Sequence, residues 1–120
     1  MTSKELKSRL IRSFVQSACE SDKDPSERSV TSLINILDFA GQLPEWPEPV
    51  EIYCTMSWEH GIVWRSKHGY VEVSTEPDSE INCFRYKTVD GAETFKVEGP
   101  LDDGTESRQI EDILKTYLEV

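Results

Sequence analysis

The chain has 120 residues, 37% apolar and 30% charged, which suits one domain with a modest core and a heavily solvated surface, and is too rich in apolar residues for a disordered chain. No apolar run approaches the ~18 residues of a membrane span. The net charge is −10, of which residues 1–48 carry −2 (6 basic, 8 acidic) and the remainder −8 (7 basic, 15 acidic), a field that repels nucleic acid and anionic lipid and favours a basic partner.

The first element is a helix. Leu6, Leu10, Ile11, Phe14, Val15 and Ala18 recur at the 3-4 spacing of one apolar stripe, and Thr2 or Ser3 supplies the N-cap. After a polar break at residues 20–23, Asp24-Pro25-Ser26-Glu27 opens a second helix as cap, first-turn proline and capping-box acid. Val30, Leu33, Ile34, Leu37 and Ala40 form its stripe, and Gly41 occupies the position of a left-handed C-terminal residue. The two helices read as an αα-hairpin over residues 1–42.

Residues 43–49 hold three prolines, Pro44, Pro47 and Pro49, which exclude helix and favour an extended connector. From residue 50 the period becomes two. Val50, Ile52, Cys54 and Met56 alternate with polar residues in a first strand, and Ser57-Trp58-Glu59-His60-Gly61 is a turn. Strands follow over Ile62 to Arg65, Tyr70 to Thr75, Ile81 to Thr88 and Thr94 to Glu98, the last two joined at Asp90-Gly91. Such short links make an antiparallel meander over 50–98. A final helix over 105–119 buries Ile110, Ile113, Leu114 and Tyr117 or Leu118. The expected fold is therefore α+β in a single domain, 1–120: an N-terminal αα-hairpin, a five-stranded antiparallel meander and a C-terminal helix.

Leu43-Pro44, Trp46-Pro47 and Pro49, followed by Gly61-Ile62-Val63-Trp64, Gly69-Tyr70-Val71-Glu72-Val73 and Ile81, resemble a pattern in small prokaryotic proteins, in which a proline connector precedes a hairpin with a Trp-bearing strand. In size, acidity and architecture the chain also resembles phage anti-defence proteins such as anti-CRISPRs, and immunity proteins and antitoxins. The likeness is one of class. It implies an inhibitor that binds another protein, and it transfers no functional residue.

Three cysteines, Cys19, Cys54 and Cys83, are widely spaced, which reads as reduced and mostly buried thiols. Met1-Thr2-Ser3-Lys4-Glu5-Leu6-Lys7 has neither the apolar stretch nor the cleavage site of a secretory leader, so a cytoplasm is the expected compartment. Cys54, His60, His68 and Cys83 match no compact zinc spacing, and both histidines stand beside glycine in polar turns, so no metal is expected. No serine lies in a Gly-x-Ser-x-Gly context and no glycine-rich loop precedes a helix, which leaves no cofactor cradle and no catalytic residue to name. Glu51, Glu72 or Glu98 in a cleft would say little alone, and a small enzyme with a cleft between sheet and helices stays as the alternative of a different class.

The candidate partner-binding residues are Trp58 with Glu59, and the acidic groups Glu76, Asp78, Glu80 and Asp102, Asp103, Glu106. An aromatic on a polar rim is a common interface anchor, although Trp58 could equally fold back over the sheet edge. Carboxylates spaced on a rigid surface can occupy Lys/Arg grooves built for nucleic acid, although a solvated surface is the bland explanation. The expectation is an acidic inhibitor that occludes the basic surface of a nucleic-acid-handling protein, such as a nuclease or a CRISPR effector subunit. The alternative in the same class is an immunity protein or antitoxin. The exposed edge of a meander can also pair with its own copy, which keeps a homodimer open.

Overall fold

Thr2 begins the ordered path. Its hydroxyl accepts the Glu5 amide at 3.1 Å and its carbonyl the Leu6 amide at 3.0 Å, so it is the N-cap of α1 (Ser3–Glu20). This computed structural model describes residues 1–20, 27–66, 69–75, 82–88, 93–99 and 112; side chains at 27–29, 66, 82–88 and 93–99 lie outside the description. The other elements are α2 (Glu27–Ala40), β1 (Glu51–Cys54), β2 (His60–Ser66), β3 (Gly69–Thr75), β4 (Asn82–Thr88) and β5 (Glu93–Gly99). Asp24 and Pro25, expected to open α2, are outside the described residues.

All strand pairs are antiparallel, in the order β1-β2-β3-β4-β5, and the β4–β5 register shifts at Tyr86/Lys87. The pleat sends Ile52 and Cys54 on β1, His60, Ile62 and Trp64 on β2, and Val71, Val73 and Thr75 on β3 to one face. Leu6 and Leu10 of α1 and Ile36, Phe39 and Ala40 of α2 close over that face with Ile62, Trp64, Val71 and Val73 in one core. A buried polar pair pins α2 to β3: Thr75 Oγ1 donates to the Ser32 carbonyl at 3.0 Å, and the two hydroxyls lie 2.8 Å apart.

The proline connector is built into the core rather than merely joining two parts. Trp46 is 2% exposed and stacks on Trp64 at 5.7 Å and against Phe39 at 5.0 Å. The Trp46 amide donates to the Met1 carbonyl at 2.7 Å, and Thr2 bridges Glu45. Trp46 Nε1 and Ser3 Oγ both donate to the Ala40 carbonyl, at 2.9 and 2.8 Å. That carbonyl at the end of α2 is therefore satisfied by side chains. Gly41, expected to be left-handed, does not adopt positive φ; with these donors in place the helix does not need that turn.

The expected architecture is corrected. The helix-packed core is made by two helices and the three antiparallel strands β1–β3, α+β in class, and no C-terminal helix is an element of the described structure; residues 105–111 and 113–120 lie outside it. Each helix, about 10 Å wide, covers about two strands at about 4.8 Å spacing. Among the described residues α1 lies over β1 and α2 over β2 and β3, and β4 and β5 extend the ladder beyond these two helices. Three local expectations also change. Ile11, Val15, Val30 and Ile34, expected in the apolar stripes of the helices, are 41–51% exposed, while Ile36 and Phe39, outside the expected α2 stripe, are buried against the sheet. Val50 and Met56 are 59% and 85% exposed and lie outside β1, whereas β2 starts two residues early and takes in His60.

Candidate functional site

The turn between β1 and β2 holds the two candidate residues that the structure describes. Thr55 organises it: its amide donates to the Glu59 carbonyl at 2.9 Å, its carbonyl accepts the Trp58 amide at 3.0 Å, and its hydroxyl accepts the Glu59 amide at 3.1 Å. The tightness of this loop forces Trp58 to φ 64°, a left-handed conformation that is rare for a bulky residue. That twist turns the indole back over the protein. Trp58 is only 9% exposed and packs on Phe14 of α1 at 5.4 Å, so it is a packing residue and not an exposed anchor.

His60 lies beneath it. Read as a solvated turn residue, it is instead fully buried, with its ring 5.7 Å from Phe14. The reason is register: His60, Ile62 and Trp64 share the helix-covered face of β2. Extending the apolar alternation two residues backwards would have found it. Cys54 is His60's cross-strand partner, but this thiol is not an activated nucleophile. Burial pushes its pKa up and its hydrogen is directed at the Thr55 carbonyl, 3.7 Å away. Cys19, in contrast to the expectation of buried thiols, is exposed on α1. Among the described residues no three His, Cys, Asp or Glu side chains gather closely enough to hold a metal ion.

The sheet face turned away from α1 and α2 has the distinctive chemistry. Glu51 and Tyr53 on β1, Glu59 leading into β2, and Glu72 on β3 alternate away from the helices. Tyr53 crosses over Gly61, its cross-strand partner, and donates its phenol hydrogen to Glu72 at 3.2 Å. Any Cβ at position 61 would collide with the Tyr53 ring. Burial pushes the Tyr53 phenol far above its ordinary value, and the charges of Glu72, Glu59 and Glu51 push it further. Three carboxylates thus set a negative potential around one half-buried aromatic ring. At the other end of the same face Arg65 lies over the Tyr70 ring at 5.9 Å.

Glu59 is thereby placed in an acidic group, but with Glu51, Tyr53 and Glu72 rather than around an exposed Trp58. Glu76, Asp78, Glu80, Asp102, Asp103 and Glu106 lie outside the described residues. Glu51 and Glu72 were visible in the sequence as members of alternating strands. What linked them was the glycine at 61, which lets Tyr53 cross β2 and which strand alternation alone does not reveal.

A second surface has the opposite sign. An open groove of about 410 Å³ on α1 is lined by Met1, Lys4, Glu5, Ser8, Arg9, Arg12 and Glu48, with Arg9 held by Glu48 at 3.0 Å. None of the described helices is long and apolar enough to cross a membrane. No protein-family model, curated protein or solved structure matches the chain.

Proposed function

We propose that the chain is an inhibitory binding protein whose acidic surface occupies a basic, nucleic-acid-binding surface on another protein. An anti-defence protein of the anti-CRISPR kind is its most concrete form; an immunity protein or antitoxin directed at a nuclease is the related alternative. The observation that carries the reading is the acidic group on the sheet face away from α1 and α2, where Glu51, Glu59 and Glu72 surround Tyr53. A rigid sheet fixes the spacing of these carboxylates, so pairing with Lys and Arg costs little ordering, and the half-buried tyrosine adds apolar contact area. The net charge of −10 steers a basic partner toward this face.

The test is capture by the tagged full chain from cells of its native setting, washed at rising salt and with duplex DNA as competitor. The expected result is one nucleic-acid-binding protein, released by salt and displaced by the duplex, whose affinity falls at least ~10-fold with Glu51→Gln/Glu59→Gln/Glu72→Gln. Capture that is indifferent to salt, or that survives the triple substitution, would count against the reading.

A further inference from the structure

Four exposed aliphatic residues on the helices are unexplained by the core: Ile11 and Val15 on α1, and Val30 and Ile34 on α2, each 41–51% exposed. Their positions are matched. Lys7, Ile11 and Val15 form one i,i+4 row along α1, and Val30 and Ile34 form another along α2 that leads to Gly41. The Lys7 ammonium group lies where a Cβ on Gly41 would stand 2.9 Å away, and Ser3 hydrogen-bonds the Ala40 carbonyl. At the other end Ser17 of α1 bonds the Cys54 carbonyl and Ser32 of α2 bonds Thr75, where Cys54, His60 and Thr75 lie side by side across the sheet; the helices are therefore antiparallel neighbours. Between these ends Ile11 falls within about a turn of Ile34, and Val15 within about a turn of Val30. The two rows flank the outer seam of the helix pair, on the side away from Leu6, Leu10 and Ile36, which face the sheet.

The borders of this seam carry opposite charge. Lys4, Ser8 and Arg12 make the next row outward on α1, and the exposed Asp38 stands outward of Ile34 on α2. Helix α1 holds four cations against two anions, a net of +2; α2 holds one against two, a net of −1. Among the described residues neither Lys4 nor Arg12 is ion-paired.

We propose that this seam is a self-association surface, on which a second copy of the chain lays its own helix pair to form an all-antiparallel four-helix bundle, α1 over the α2 of the second copy. The charges select both occupant and orientation. With the two-fold axis parallel to the helices, each basic α1 border meets an acidic α2 border, and Lys4 comes within one turn of Asp38 of the second copy. The other two-fold arrangement stacks α1 on α1 and opposes two basic rows. The seam is self-complementary, as an isologous interface requires. Its footprint is limited by the 14 residues of α2, about 21 Å, by two helix widths, about 20 Å. At about 420 Å² on each copy this falls below the standard size of specific interfaces, so the dimer is a weak one in exchange with monomer. It stands independently of the inhibitor reading, since it uses the helices and not the sheet face that carries Glu51, Glu59 and Glu72.

Sedimentation equilibrium of the full chain from about 1 µM to about 1 mM tests it, a range that spans the affinity of small interfaces. The expected result is a rise to twice the chain mass, a dissociation constant at least ~10-fold weaker with Ile34→Glu, weakening with Lys4→Asp, and recovery in Lys4→Asp/Asp38→Lys. The circular dichroism melt of Ile34→Glu should match wild type, because the side chain is half exposed, which separates lost association from lost folding. A monomer at every concentration would overturn the proposal and leave the seam to a different occupant. A dimer insensitive to Ile34→Glu would move the interface elsewhere, and failure of the charge swap would overturn the α1-over-α2 arrangement.

Discussion

Tyr53 reaches Glu72 only because residue 61 between them is glycine: the phenol crosses β2 at Gly61 and hydrogen-bonds the carboxylate at 3.2 Å. A methyl group at this position has nowhere to go except into the ring, so Gly61→Ala displaces Tyr53 and breaks the bond. The expected cost is about 1–3 kcal/mol, the usual range for overpacking, read as a lower urea midpoint at unchanged m. Tyr53→Ala/Gly61→Ala removes the collision, and its destabilisation should be clearly less than the sum of the two single changes.

The same pair makes stability depend on alkaline pH. Burial and the neighbouring carboxylates raise the folded-state pKa of Tyr53 well above the unfolded value of about 10. Below pH ~10 both states keep the phenol proton and the group contributes no slope. Above it the unfolded chain loses the proton while the folded chain retains it, so stability falls as pH rises toward the folded pKa. Urea melts between about pH 9 and 11.5 should show this fall, and Tyr53→Phe should flatten part of it. An unchanged slope in Tyr53→Phe would mean that the phenol ionises as freely in the fold as outside it.

Ser32 and Thr75 hold α2 to β3 through reciprocal hydrogen bonds at two buried side chains, each 1% exposed. Thr75→Val keeps the shape but removes the donor to the Ser32 carbonyl and leaves the Ser32 hydroxyl only the Thr75 backbone carbonyl at 3.3 Å, and should cost about 1 kcal/mol, the usual net worth of one hydrogen bond. Ser32→Ala/Thr75→Val removes both hydroxyls and should be less destabilising than the sum of the single changes. Additive losses in a double-mutant cycle would show that the two hydroxyls are not coupled.

How far the sequence could be read depended on whether a signal was periodic or a matter of reach. Leu6 and Leu10 and the alternation of Val71 and Val73 follow from spacing, but the stripe of α2 does not run where the period places it: Val30 and Ile34 are exposed while Ile36 and Phe39, outside that stripe, are buried, because several 3-4 rows of α2 are apolar and only packing selects among them. That Trp46 packs against the sheet follows from its place among the prolines, but its stacking on Trp64 depends on how the connector returns along the N-terminal residues. A polar residue beside Gly61 suggests a turn, whereas His60 continues the Ile62-Trp64 face of β2. At the candidate site, Glu59 was named for its neighbour Trp58. Its actual company of Glu51, Tyr53 and Glu72 comes from three strands, and depends on a ring passing over a glycine.

Trp58 combines an unfavourable backbone with a favourable side chain, and substitution can separate them. Its φ of 64° is costly for any residue with a Cβ, by about 1–2 kcal/mol, and costs glycine nothing. Its ring packs on Phe14 over the buried His60, and losing a packed indole costs about 3–5 kcal/mol. Both Trp58→Ala and Trp58→Gly should therefore destabilise the fold, but glycine less than alanine, by about 1 kcal/mol. This is the reverse of the order at ordinary strand or helix positions, where glycine is the worse residue. Thermal melts of the two variants decide it. If alanine is the more stable, the turn relaxes out of the left-handed region once the indole is gone, and the packing of Trp58 on Phe14, rather than the Thr55 hydrogen bonds, holds the backbone there.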